Sequence, residues 1–123
     1  MIKKITLIIL ATIWISLSEF LRNNVLVKSM WVEHYRSMGL DFPSAPINGI
    51  MWGVWSLCLA VLIYYLLKKF TLLETVLLSW FAGFLMMWIT IGNLNVLPYG
   101  TLLFAIPLSF LEVYVAALIL SKK

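Results

Sequence analysis

Four apolar runs, separated by short polar punctuation, organise this chain. The first covers 5–21. The second covers 49–67 and stops at Lys68-Lys69. The third covers 71–91 and is followed by Gly92-Asn93-Leu94-Asn95 and the breaker Pro98. The fourth covers 101–120 and stops at Lys122-Lys123. Each is close to the ~20 residues a helix needs to cross hydrocarbon. In lipid every backbone polar group must be paired within its own segment, so runs of this length read as helices. Strands of a membrane barrel, ~10 residues with alternating faces, do not match them.

The connection between the first two runs has a different rhythm. Within 25–39, Val27, Met30, Trp31, His34, Tyr35 and Met38 fall at helical spacing, with Ser29, Glu33, Arg36 and Ser37 on the other side. That pattern predicts a short amphipathic helix in the outer interface, with Trp31 and Tyr35 at headgroup level, or else a lid folded over the outer mouth. Gly39 ends it, Asp41-Phe42-Pro43 turns the chain, and Pro46 stands where an early-turn proline opens the next helix. Thr71 followed by Glu74 fits a capping box at the start of the third span. The expected fold is all-α: one integral membrane four-helix bundle over 1–123, with an interfacial helix between its first two spans.

The N-terminus admits two readings. Lys3 and Lys4, an apolar run and Ser16-Leu17-Ser18 have the layout of a secretory signal. The apolar stretch continues through Phe20-Leu21, which makes it as long as a span, so a retained helix is expected.

Composition narrows the class. The chain is 63% hydrophobic and 11% charged, against about 45–50% and about 25% for soluble domains. A water-soluble monomer, a disordered chain and a nucleic-acid module are all excluded, the net charge of +4 notwithstanding. The charge is instead a topology signal. With alternating helices, Lys3, Lys4, Lys68, Lys69, Lys122 and Lys123 share one side and Arg22, Lys28 and Arg36 the other, which places both termini in the cytoplasm. The bacterial cytoplasmic membrane is the expected location, with lipids as the surrounding partner. Cys58 is the single cysteine, so no internal disulfide or thiolate cluster forms. Neither metal nor cofactor is expected.

Each span carries one small or polar stripe. The first has Thr12, Ser16, Glu19 and Asn23; the second Gly49, Gly53, Ser56 and Ala60. The third has Thr75, Ser79, Gly83, Met86, Thr90 and Asn93; the fourth Ala105, Ser109, Glu112 and Ala116. These stripes are expected to face one another, chiefly as close-packing surfaces. Gly49-x-x-x-Gly53 offers in addition a homodimer face.

Glu112 stands apart. It lies ~16 Å from the outer end of its span and ~12 Å from the inner end, near the midplane. A carboxylate there costs several kcal/mol, so it is neutral or paired. No Lys or Arg shares its depth in any span. The expectation is therefore a neutral Glu112 bonded to Ser79, Thr90 or a carbonyl freed by Pro107, with Ser109 beside it. A second cluster gathers at the outer end. Glu19, Arg22, Asn23, Asn93 and His34 form a candidate vestibule, within which Glu19 and Arg22 make an i,i+3 pair. Catalytic triads, metal motifs and phosphate loops are missing from the sequence. Glu19 and Glu112, ~9 Å apart in depth, are poorly placed to act on one bond, and no catalytic residues are assigned.

Lys28-Ser-Met-Trp31 through Met38-Gly39-Leu40, and the unit from Trp80-Phe81 through Asn93 and Pro98, loosely resemble a family of small uncharacterised four-span bacterial membrane proteins. That resemblance implies the layout and no activity. Three functions stay open: a protein that binds or moves a small solute, proton or lipid-like ligand through a polar core at Glu112; an accessory subunit whose polar stripes only hold helices together; and an intramembrane enzyme acting on lipid or quinone, which would require Glu19 or His34 to converge on Glu112.

Overall fold

A computed structural model describes residues 1–122. Lys123, counted above among the lysines of the terminal side, lies outside them. Among the described residues the regular structure is entirely helical. Helix α1 runs as an α-helix over Ile2–Leu21 and continues as a π turn over Arg22–Leu26. Helix α2 is Lys28–Ser37 and α3 is Pro46–Leu66. Helix α4 spans Leu72–Asn93 and carries a π turn at Phe81–Leu85. A 3-10 turn, Tyr99–Thr101, leads into α5, Leu102–Leu120. All but α2 are long and apolar enough to cross a membrane.

Local chemistry accounts for the boundaries. Pro46 occupies the first turn of α3, where its missing N–H removes nothing from the helix. At α4 the predicted box is present: Glu74 N–H donates to Thr71 Oγ1 (3.2 Å) and Thr71 N–H donates to Glu74 Oε1 (3.0 Å). Gly39, at φ +75°, takes the left-handed conformation that closes α2.

Helix α1 packs against α3 and α5, and α4 against α5 and α3. The start of α1 and the end of α3 meet: Lys4 Nζ donates to Tyr65 Oη at 3.2 Å, and Lys4 and Lys68 lie about 5 Å from the Tyr64 and Tyr65 rings. The bundle thus has a terminal end, where these lysines lie, and an α2 end. Ala11, Ala60, Ala116 and Ala117 are fully buried. In lipid, where burial against water contributes little between helices, such small side chains let helices approach closely enough for dispersion contacts to hold them. Ile9, Ile13, Leu57, Leu103 and Leu111 stay exposed around the outside.

The predicted stripes are only partly those that pack. On α5, Ala105, Ser109, Glu112 and Ala116 are all buried. On α1 the buried positions are Leu7, Ala11, Ile15 and Glu19; Thr12 and Ser16 sit half-buried to one side, and Thr12 Oγ1 donates to its own helix at Ile8 O. On α3, Ser56 and Ala60 are buried, whereas Gly49 is exposed and a Cβ added at Gly49 or Gly53 would meet nothing within 4 Å. On α4 the inward series runs Thr75, Ser79, Phe84, Trp88, Gly92. The five-residue step from Ser79 to Phe84 spans the π turn, which inserts one residue and rotates everything after it. Met86, Thr90 and Asn93 are therefore exposed, and Gly83 packs beside Leu59.

Candidate functional site

Arg22 is the organising side chain. It stands where α1 passes into its π turn, and its guanidinium lies 5.5 Å from the ring of Phe84 in the π turn of α4. Nη2 donates to Glu19 Oε2 at 2.5 Å. Asn23 Nδ2 donates to the same oxygen at 2.8 Å, and Asn23 Oδ1 accepts from Trp31 Nε1 at 3.1 Å. Helix α2 is thereby tied to the cluster. Glu19, Arg22 and Asn23 are 3%, 4% and 6% exposed, so the i,i+3 pair read from the sequence is a buried one.

Arg22 also reaches Glu112, with Nη1 3.5 Å from Oε1. This corrects the expectation that Glu112 has no cation at its depth. The reason lies in side-chain direction. Long helical side chains lean toward the N-terminus of their own helix. Helices α1 and α5 run in opposite directions, so Arg22 leans down from the α2 end while Glu112 leans up toward it. The same lean brings Glu19 and Glu112 to one guanidinium, whereas their Cα depths alone keep them apart.

None of the hydrogen bonds expected for Glu112 forms: both carboxyl oxygens lack a hydrogen-bond partner among the described residues, as do Ser79 Oγ, Thr75 Oγ1 and Arg22 Nη1. Ser109 Oγ accepts from Trp80 Nε1 (2.8 Å) and donates to Ile106 O (3.0 Å). Thr90 Oγ1 donates to Met86 O on its own exposed face. Of the candidate core, only Ser79, Ser109 and Glu112 are buried. Trp14 adds a further tie from α1 to α5, donating through Nε1 to the backbone carbonyl of Glu112 at 2.8 Å.

A cavity of about 420 Å³ opens above this cluster at the α2 end. Glu19 and Arg22 supply its charged groups, and Asn23 and Asn48 its amides. Its walls are aromatic and thioether: Trp31, Tyr35 and Phe42 from α2 and the loop after it, Met51, Trp52 and Trp55 from α3, Met87 and Trp88 from α4. Trp31, Tyr35 and Phe42 pack on one another with centroids 5.3–6.3 Å apart. Two of the five vestibule residues are elsewhere. Asn93 is exposed, and His34 Nε2 meets Asn95 O at 2.6 Å outside the cavity wall. Glu112 does not border the cavity; Arg22 stands between them. The sequence reading missed the aromatic walls. Their signal was the spacing of Met51, Trp52 and Trp55 on one side of α3, which reads equally well as packing. No three His, Cys, Asp or Glu side chains converge on a metal-sized site among the described residues.

No family model, curated protein or solved structure matches the chain.

Proposed function

We propose that the chain is a multi-pass protein of a bacterial cytoplasmic membrane that binds a small amphipathic molecule in the cavity at its α2 end. In this reading both termini are cytoplasmic, which the six lysines on their side support under the positive-inside rule. Helix α2 then lies in the outer interface, with its half-buried side roofing the cavity and Lys28, Ser29, Glu33, Arg36 and Ser37 exposed.

One observation carries the reading. Arg22 Nη1 is a buried cationic donor that makes no hydrogen bond, only the 3.5 Å ion pair with Glu112, and its side chain borders an otherwise mostly apolar cavity. Buried polar groups are normally satisfied, and an unsatisfied one at a cavity wall is a place for a ligand atom. An acceptor there would complete the guanidinium while aromatic walls hold an apolar body. Holding is favoured over passage because Leu7, Ile63, Val76 and Leu120 pack closed toward the terminal end.

Native mass spectrometry of the purified protein tests this. The expected result is a small amphiphile that accompanies the wild type and is lost from Arg22→Gln. Equal, unadorned masses for both proteins would overturn it. They would favour the second reading, an accessory subunit in which Arg22 merely ties α1 to α5, supported by the sealed position of Glu112 and the Trp14 bond to its carbonyl.

A further inference from the structure

A second hollow lies just around α1 and α3 from the cavity. It is a groove of about 300 Å³ bordered by Ser16, Phe20 and Asn24 on α1 and by Gly49, Trp52 and Gly53 on α3. Glu19, Arg22 and Asn23 of α1 face the cavity, and their neighbours Ser16, Phe20 and Asn24 face the groove. On α3, Asn48, Met51 and Trp55 belong to the cavity, and Gly49 and Gly53 to the groove. Trp52 borders both. The groove is on the outside of the bundle: Leu17 and Phe20 beside it are 55% and 57% exposed. A Cβ at Gly49 or Gly53 would meet nothing, so these glycines leave space without bringing two helices of this chain together. From Ser16 to Asn24 the groove follows α1 for roughly 12 Å, the direction a lipid chain takes.

We infer that the cavity's occupant is an acyl lipid that enters sideways from the membrane between α1 and α3, its carbonyl-bearing head on Arg22 and its chain along the Gly49–Gly53 groove. This rests on the ligand-binding reading above and assigns that ligand its class and route. The head follows from Arg22 on the cavity wall, whose Nη1 makes no hydrogen bond and only a 3.5 Å ion pair with Glu112, so that it can still take an acceptor oxygen. A lone ammonium offers Arg22 only donors and a like charge, leaving Glu19 as its single charged partner on the cavity wall. The chain follows from the groove's position on the lipid-facing side and from Trp52 as the shared border. Entry from the aqueous side is closed off by α2, held by the Trp31–Asn23 and His34–Asn95 hydrogen bonds.

Tryptophan quenching in lipid nanodiscs tests it. The probes are a fatty acid and a monoacylglycerol brominated on the chain, a chain-matched brominated primary amine, and a chainless brominated benzoate. Wild type should show saturable quenching by the acid or the monoacylglycerol, whichever head is the natural one, and not by the amine. Gly49→Leu/Gly53→Leu fills open space and leaves the fold intact by circular dichroism. It should weaken long-chain binding roughly tenfold, the equivalent of one lost contact group, and leave benzoate quenching unchanged. Undiminished chain binding in the folded double variant overturns the side entrance, and amine quenching equal to that of the acid overturns the head assignment. Benzoate binding without any chain-bearing ligand overturns the lipid inference and leaves the cavity reading standing. If no probe binds saturably, both fall.

Discussion

Toward the terminal end the bundle is closed by Leu7, Ala11, Ile63, Val76, Ala116, Ala117 and Leu120, none more than 8% exposed. At the α2 end the same helices are held apart around about 420 Å³ of space, and the buried charged groups there are Glu19 and Arg22, with Asn23 beside them. Both π turns fall on this second half, and they meet where Arg22 lies over Phe84. A π turn exchanges regular i→i+4 bonding for a change of facing. Here it carries Phe84 and Trp88 inward, where Gly83, Met86 and Thr90 were expected. The contrast teaches that one half is packed solid and the other is built around open space.

The largest expected effect comes from removing the charge on which the open half is assembled. Arg22→Met leaves two carboxyls buried with no counter-ion and should cost about 3–5 kcal/mol in reversible unfolding from mixed micelles. A loss below about 1 kcal/mol, the range of solvent-exposed pairs, would mean that the cluster does not organise the α2 end. Next come two equal enlargements, one in each half. Ala117→Leu adds volume to a fully buried site and should cost about 1–3 kcal/mol by overpacking. Ala105→Leu faces the cavity, which has room for it, and should stay within about 0.5 kcal/mol, the usual range of substitutions that strain nothing. Equal costs for the two would erase the distinction between the halves.

Smaller still is the effect of the α4 cap. Thr71→Ala removes the oxygen that accepts the Glu74 N–H and should cost about 1 kcal/mol, with faster hydrogen exchange confined to the first turn of α4. This cap, the early-turn Pro46 and the buried series Ala105, Ser109, Glu112 and Ala116 were all legible in the sequence. Each depends on residue type at fixed local spacing. The facing of the distal half of α4 was not legible. Phe81–Leu85 contains nothing that marks a π turn, so extrapolating one period through it placed Thr90 inward and left Phe84 and Trp88 out. Arg22 was hidden for a different reason. Depth counted from Cα positions takes no account of how far a guanidinium reaches, nor of the opposite leans of α1 and α5. The site was legible as a set of polar residues at one end, but its aromatic walls depend on tertiary contacts that no single-helix pattern contains.

Gly49→Ala carries the smallest expected effect and asks the sharpest question of the open half. An added methyl meets nothing within 4 Å, and alanine is the better helix former by up to about 1 kcal/mol. The substituted chain should therefore unfold at the same or a slightly higher denaturant concentration, with cross-linking that matches wild type. A Gly-x-x-x-Gly face packed on a second copy behaves in the opposite way: there the methyl stands between two backbones, and both dimer and stability are lost. A falling midpoint accompanied by loss of a cross-linked dimer would assign this face to self-association and withdraw it from the lipid. An unchanged or rising midpoint, with long-chain binding weakened as the side chain is lengthened from Ala to Leu, would leave the groove as the open side of the cavity.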